Sequence, residues 1–415
     1  MLFVQLRKKI IFLYTKIYYK QEILPITKAK KHWKTMIMHN GNTTNSYTVT
    51  PTITTPQTWL EISTTAFNHN IAYYKKLIGP HNTLAVVIKG NGYGHGLHQM
   101  AYLCEQNNYV DWLCVAQLSE SLALQNISKP ILVLGYSDVS PEHAVGKNIH
   151  FMVDSLEYAQ KLNAIGTQHK HQFNVHLKVD TGLSRIGVLA SDAHALVQQL
   201  QKLEYIKLNG IFSHFAASND NPTFTEHQLT QFNNVLTQLD NDGITIEHVH
   251  MSNSAAINTI AYPTKFNFFR LGLGAYGLGA HAHHLQPVMT WKTHITAIKT
   301  IPTNSYVSYA CTYKTNRTTR IALLPTGYSD GYDFSFSNKT SVIINGSLAP
   351  ILGRVAMNIT IIDVTDIIAH IGDEVTLIGE YPGIGAQDLA TMAGMPNVRE
   401  LLTGINPALA RIITE

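Results

Sequence analysis

Lys89 closes an uninterrupted apolar run, Leu84–Ile88. A lysine in that setting is either a structural cation that snorkels to solvent along its methylene stem, or an amine whose pKa burial lowers. A neutral lysine amine forms Schiff bases with carbonyl compounds, pyridoxal phosphate among them. That second chemistry also demands a phosphate site built from backbone N–H groups, a hydroxyl and a helix N-terminus. Asn253-Ser254-Ala255-Ala256 and Gly272-Leu273-Gly274 offer these groups late in the same region. Further ionisable or polar residues close other apolar runs: Lys178-Val179-Asp180 with Arg185 just beyond, His214, His250 and Arg270. No histidine, cysteine or carboxylate spacing points to a metal; His281, His283 and His284 read as a solvated loop.

The elements that must position these residues are short, β-branched apolar runs. Eight of them recur: Thr83–Lys89, Asp111–Gln117, Pro130–Tyr136, Ile149–Ser155, Phe173–Asp180, Leu208–Phe215, His248–Ser254 and Phe266–Gly274. Segments with helical spacing, such as Ala190–Leu203 and Glu226–Leu239, separate them. Strands alternating with helices predict βαβ units and a parallel sheet. Eight units in this length fit an α/β (β/α)8 TIM-type barrel, typically about 250 residues long. A doubly wound open sheet is the alternative, but the turn after the first strand, GNGYGHG, does not match its GxGxxG fingerprint. In a barrel the active site lies at the carboxyl ends of the strands. Five of the eight strands then deliver a cation, imidazole or hydroxyl to one mouth. Beyond about residue 290 the pattern turns mainly to strands, and Asn345-Gly346 between apolar runs predicts a hairpin. The expected organisation is an N-terminal extension over 1–57, the barrel over 58–290 and a β domain over 291–415.

The chain of 415 residues is 45% hydrophobic and only 14% charged, globular in composition against an average charged fraction of about 25%. Its net charge of +4 is unevenly distributed. Residues 1–35 carry nine Lys/Arg and one acid, Glu22, leaving 22 bases against 26 acids in the rest. A mildly acidic body excludes a basic nucleic-acid-binding stripe. The longest apolar stretch of the tail, Ile10–Tyr14, is too short to span a bilayer. The tail reads as a disordered extension or as translation from a start upstream of Met36 or Met38, with targeting or membrane contact as the alternative. Residues 36–57 lack Asp, Glu, Lys and Arg and read as a linker. Cys104, Cys114 and Cys311 form no CxxC pair, which suits a reducing, cytoplasmic compartment.

The segment Ala85–Gly96 (AVVIKGNGYGHG) resembles the cofactor-attachment segment of the alanine racemases. Seven further blocks resemble that family in order: His176–Val188, Gly210–Ser218, His250–Ala256, Arg270–Gly277, Val307–Tyr313, Leu324–Tyr332 and Gly353–Asn358. The resemblance implies a pyridoxal-phosphate-dependent homodimer that interconverts L- and D-alanine, supplying D-alanine for bacterial cell-wall peptidoglycan. It implies that Lys89 carries the cofactor and serves as one base, while Tyr309, reaching the partner subunit's site, serves as the other. Tyr93, Ser254 with Asn253, and the backbone at Gly272 and Leu273 would take the phosphate. Arg270 would face the pyridine nitrogen, and with His214, also at the cofactor, would form the network that supports the tyrosine base; His250 is a supporting residue. Arg185 and the Met357 N–H would hold the substrate carboxylate, with Tyr328 in support. Lys178 matches a position often carbamylated in the family, or is an ordinary lumen-facing lysine. A broader amino-acid racemase and a non-catalytic cofactor-binding protein are the alternatives on the same scaffold.

Departures from the family pattern accompany the resemblance. Gly90 and Gly92 replace the usual alanines beside the lysine, Ser184 stands where glycine is common, and Asn358 replaces an aspartate. Pro407, within Thr403–Arg411, falls where some members place a phosphate-binding tyrosine, which predicts the loss of that contact.

Overall fold

The structure, a computed structural model, describes residues 56–279 and 281–415. The basic tail and nearly all of the linker read from the sequence lie outside the described residues.

All eight expected strands form, and they form one parallel barrel. They are β2 (Thr83–Val87), β3 (Trp112–Val115), β4 (Ile131–Val133), β5 (Ile149–Val153), β6 (Phe173–Asp180), β8 (Ile206–Phe212), β9 (His248–His250) and β10 (Phe268–Leu271). Their order is β10-β2-β3-β4-β5-β6-β8-β9, with the two-residue β7 (Val188–Leu189) pairing β6. Helices such as Leu156–His169, Ala190–Leu200 and Pro222–Asn241 connect them. Strands covered on both faces must be apolar throughout, and every residue of β3, β4, β5 and β10 is buried. The seam between β9 and β10 has no regular ladder, and Asn267 bridges it. Its N–H donates to the Val249 carbonyl (3.3 Å), its Oδ1 accepts from the Val249 N–H (3.0 Å), and its Nδ2 donates to the Glu247 carbonyl (2.7 Å). The lumen is filled rather than hollow: Trp112 makes edge contacts with His150, His176, His248 and Phe268 at centroid separations of 4.5–5.7 Å.

The second region is mainly β. Its six-stranded sheet runs β17-β16-β19-β11-β1-β20, where β1 is Thr58–Ser63, β11 Met289–His294, β16 Ser341–Ile344, β17 Ser347–Pro350, β19 Glu374–Ile378 and β20 Ala410–Thr414. The first strand of the described chain thus joins this sheet before the barrel begins. Leu60 faces Trp291 across the β1–β11 ladder, and the Trp291 indole N–H donates to Thr58 Oγ1 (2.8 Å). Lys292 bridges Glu61 and Glu374, each at 2.9 Å. The expected hairpin joins β16 to β17, with Asn345 (φ 48°) and Gly346 (φ 76°) both in the left-handed conformation that its turn requires. A three-stranded sheet, β12 (Ala297–Ile301), β15 (Thr319–Leu324) and β18 (Thr360–Asp363), lies in the same region. There β13 (Tyr306–Val307) and β14 (Tyr313–Lys314) form a small hairpin whose loop carries Tyr309.

Candidate active site

Lys89 emerges one residue after β2, and the backbone then turns left-handed for five consecutive residues. Gly90, Asn91, Gly92, Tyr93 and Gly94 have φ of 62°, 54°, 60°, 51° and 85°. L-residues pay for that conformation while glycine does not, and asparagine tolerates it best of the rest. Three glycines and an asparagine in five positions therefore explain why the chain folds this way here. The turn is closed by Gly92 N–H to the Ile88 carbonyl (2.9 Å) and Gly96 N–H to the Asn91 carbonyl (2.8 Å). Glu120 anchors it from outside, accepting from Gly90 N–H (2.8 Å) and Ala116 N–H (2.7 Å).

A cleft of about 610 Å³ opens at the carboxyl ends of the strands, within the size range of small-molecule sites. Among the expected residues, Lys89, Tyr93, Lys178, Arg185, His214, Asn253, Ser254, Arg270, Gly272 and Leu273 line it. Five of its lining side chains are Lys or Arg and one is a carboxylate, Asp220. Such a field favours an anionic ligand. Burial, then the Arg185 charge, lowers the Lys89 amine from its ordinary value. Lys178 is buried at 6% exposure, lies 4.5 Å over the Phe212 ring, and is held well below the ordinary lysine range by burial and then by Arg270.

Arg270 is fixed from several sides. Its Nη2 donates to the Ser213 carbonyl (2.8 Å) and to His214 Nδ1 (3.2 Å), its Nη1 to His250 Nδ1, and its backbone N–H to Ser252 Oγ (2.9 Å). A guanidinium only donates, so His250 carries its proton on Nε2 and passes a hydrogen bond to His176 Nδ1 (2.9 Å). Burial and then the Arg270 charge keep His214 and His250 far below the usual imidazole range, hence neutral. Burial lowers Arg270 itself to about 10, still protonated near pH 7.

The opposite wall is shaped for a small tetrahedral group. Ser254 Oγ accepts from the N–H groups of Gly272 (3.0 Å) and Gly274 (3.1 Å). A Cβ on Gly272 would stand 3.1 Å from the Tyr93 hydroxyl and 3.8 Å from Ser254 Oγ, so glycine keeps the space between those hydroxyls clear. Asn253 holds the segment by accepting from Ala256 N–H (2.9 Å). Across the cleft, Asp180 shapes the loop that carries Arg185, accepting from the N–H groups of Gly182 (2.8 Å), Ser184 (3.1 Å) and Arg185 (3.2 Å). Ser184 sits at φ 54°, the conformation that makes glycine the easier residue there.

Four expected residues are not among the described residues lining the cleft: His250, which meets it through Arg270, and Tyr309, Tyr328 and Met357, which stand apart. Tyr309 is 71% exposed and Met357 55%. They share one edge of the β domain. Ser329 N–H donates to the Met357 carbonyl (3.0 Å), Tyr328 N–H to that of Ala356 (3.1 Å), and Ser308 Oγ to that of Arg354 (2.6 Å). Pro407 likewise lies off the cleft, its carbonyl accepting from Arg411 (3.1 Å). Sequence reasoning missed Arg399, which does line the cleft, and Glu120. Nothing in the local pattern separates Arg399 from a solvated arginine. Glu120 is at the third position of its helix and closes a capping box with Gln117, a spacing readable in the sequence.

Comparison with known proteins places both regions of the chain in one family. Residues 62–280 match the family model "Alanine racemase, N-terminal domain", and residues 288–413 match "Alanine racemase, C-terminal domain". An alanine racemase 2 of Caldanaerobacter subterraneus subsp. tengcongensis is 36% identical over 369 residues, 86% of this chain and 94% of that protein. An alanine racemase of Methanococcus maripaludis is 37% identical over 337 residues, 78% of this chain and 89% of that protein. The solved alanine racemase of Clostridium difficile 630 superposes with a TM-score of 0.81 at 32% identity, covering 87% of this chain and 96% of that one. No helix among the described residues is long and apolar enough to cross a membrane. The chain belongs to the alanine racemase family.

Proposed function

We propose that this chain racemises alanine with pyridoxal phosphate, using one base from each of two subunits. The observation that carries the reading is the convergence, in one electropositive cleft, of a lysine amine lowered by burial and by Arg185, a glycine-lined gap between two hydroxyls, and a buried arginine locked by neutral imidazoles. Those groups fit an aldehyde, a phosphate and a pyridine nitrogen. Pyridoxal phosphate, when bound, supplies the electron sink that acidifies the α C–H of an amino acid.

The chain's own residues do the rest. Lys89 Nζ takes or returns the α-proton on one face. The Tyr309 hydroxyl of a second copy does so on the other, so one proton leaves and one arrives in either direction. Arg270, which does not readily surrender a proton, would face the ring nitrogen and keep a proton from it, which would weaken the sink and favour racemisation over side reactions. Arg185 and the Met357 N–H hold the substrate carboxylate, and the Met357 N–H donates to nothing among the described residues. Lys178, buried among Arg270, Arg185 and Lys89 with its amine driven toward the neutral form, suits carbamylation by carbon dioxide: Nζ would form the N–C bond as one C=O π bond opens to an oxyanion and a proton leaves to solvent, and the negative carbamate would offset part of the surrounding positive charge and orient Arg185.

The two-subunit site is supported by the surface around the second base. Tyr309, Tyr328, Phe334, Met357 and Ile359 are large apolar side chains exposed on the described chain. Of these, the Tyr328 and Phe334 rings stand together in an edge contact at 6.4 Å, and exposed apolar side chains grouped in this way favour an interaction surface. A homodimer in the cytoplasm completes the reading; use of the D-alanine in peptidoglycan rests on the family alone.

The test is an assay of purified protein on L- and D-alanine, with and without added pyridoxal phosphate, beside a panel of larger amino acids. Conversion in both directions, dependent on the cofactor and fastest on alanine, is the expected result. Cofactor bound without turnover of any amino acid would instead establish a binding protein.

A further inference from the structure

We propose that Arg399 is a phosphate-binding residue of this chain, supplied to the barrel's cleft by the C-terminal region. The inference rests on the pyridoxal-phosphate reading above and names the cation that completes its phosphate site.

Arg399 belongs to the short helix Val398–Thr403, which packs on the left-handed turn after Lys89. The approach is close: a Cβ on Gly94 would stand 2.0 Å from the Leu402 carbonyl oxygen, and one on Gly90 would stand 3.9 Å from Thr403 Cγ2. Half-buried Arg411 ties the turn to the segment just after the helix, its Nε donating to the Gly94 carbonyl (2.9 Å) and its Nη1 to those of Asn406 (3.3 Å) and Leu409 (2.9 Å). Arg399 is thereby placed in the wall of the cleft that holds Tyr93, Ser254 and Gly272. Its guanidinium is aimed but uncommitted. Nε donates to Asn397 Oδ1 (2.7 Å), which fixes the side chain's course, while neither terminal nitrogen has a hydrogen bond and no carboxylate pairs with it among the described residues. The same charge is felt at both ends of the turn. It adds to the effects that lower Lys89, and it is the largest influence opposing burial at the Tyr93 phenol. An unpaired guanidinium beside two hydroxyls and clear space is the donor set that a phosphate dianion takes, with two N–H groups free for a bidentate contact. Pro407, off the cleft, supplies nothing there, and the loss expected at that position is made good by a residue eight positions earlier.

The experiment titrates cofactor-free protein with pyridoxal 5′-phosphate and with pyridoxal, which lacks the phosphate, following absorbance. The wild-type chain should prefer the phosphate form strongly. Arg399→Ala should weaken pyridoxal 5′-phosphate by about ten- to a hundred-fold, the worth of a charge-assisted contact, and leave pyridoxal unchanged. Arg399→Lys should recover part of the loss, and the salt dependence of pyridoxal 5′-phosphate binding should flatten in Arg399→Ala. Equal weakening of both ligands, or no weakening of either, would overturn the assignment while leaving the cofactor reading intact. Failure of the wild-type chain to bind either ligand would overturn both.

Discussion

At the barrel mouth, Lys89, Lys178 and Arg270 are held by backbone turns, imidazoles and ring faces, with Lys178 and Arg270 almost wholly buried. At the edge of the β domain, Tyr309, Tyr328 and Met357 are exposed side chains on loops held to one another, and to Asn338 and Asn406, through hydrogen bonds of their neighbours. The mouth is pre-organised, because a low-dielectric site shifts pKa values only when its charges cannot relax toward water. The edge departs from easy backbone geometry instead: Ser308, Ala310 and Cys311, none of them glycine, sit at φ 62°, 60° and 53° around Tyr309. Strain of that sort persists where function needs it. The contrast sets cations gripped from many sides at the mouth against an exposed edge held in costly backbone conformations; on the function proposed above, the chain offers that edge to the site of a second subunit.

Four results would break or sharpen that contrast. The largest effect belongs to Lys89→Ala, which removes both attachment and one base. Racemisation should fall by more than the roughly 10²–10⁴-fold of one acid–base group, and borohydride should no longer fix pyridoxal phosphate to the protein. Fixation elsewhere at wild-type yield would break the account of the mouth. Tyr309→Phe should lower racemisation by about 10²–10⁴-fold while absorbance shows the cofactor still bound; loss of cofactor would mean that the edge residue also builds the cradle.

A smaller effect is a displaced pH limb. Burial and Arg185 both lower the Lys89 amine, and only the neutral amine attacks an aldehyde. Capture of pyridoxal phosphate by cofactor-free protein should therefore reach its plateau at lower pH than an ordinary lysine allows. Arg185→Ala removes a cation that favours the neutral form, so the limb should move to higher pH. A limb that stays put in stopped-flow measurements would show that Arg185 is electrostatically remote.

The smallest concerns the left-handed turn. Gly92→Ala meets Met100 Cγ at 2.8 Å as well as the conformational penalty, whereas Gly90→Ala meets only Thr403 Cγ2 at 3.9 Å. Thermal midpoints should fall for both, by about 1 kcal/mol equivalent at Gly90 and about 2–3 at Gly92. The reverse ranking would show that the turn is set by its neighbours rather than by its glycines.

Much of the mouth was legible in the sequence. Strands buried on both faces write themselves as apolar runs, and the functional side chains sit at or just beyond the carboxyl ends of those runs: Lys89 and His214 follow theirs, while Lys178 and Arg270 lie in the last residues of β6 and β10. What could not be read depends on contacts across long stretches of chain. Thr58–Ser63 gives little sign that it pairs with a strand some 230 residues away. Arg399 looks like any exposed arginine until the fold brings its helix against the Lys89 turn. Tyr309 was identified through resemblance alone, because a hairpin loop of non-glycine residues at positive φ has no signature in composition or periodicity.

The central claim, that each site takes Lys89 from one subunit and Tyr309 from another, is tested most directly by mixing two inactive variants. Lys89→Ala and Tyr309→Phe proteins, unfolded together and refolded or co-expressed, should form hybrid dimers with one intact and one doubly defective site. Random assembly puts half the molecules in that form, so activity should return to about a quarter of wild type. Activity no greater than the sum of the two variants alone, with hybrid dimers demonstrably present, would contradict the shared site.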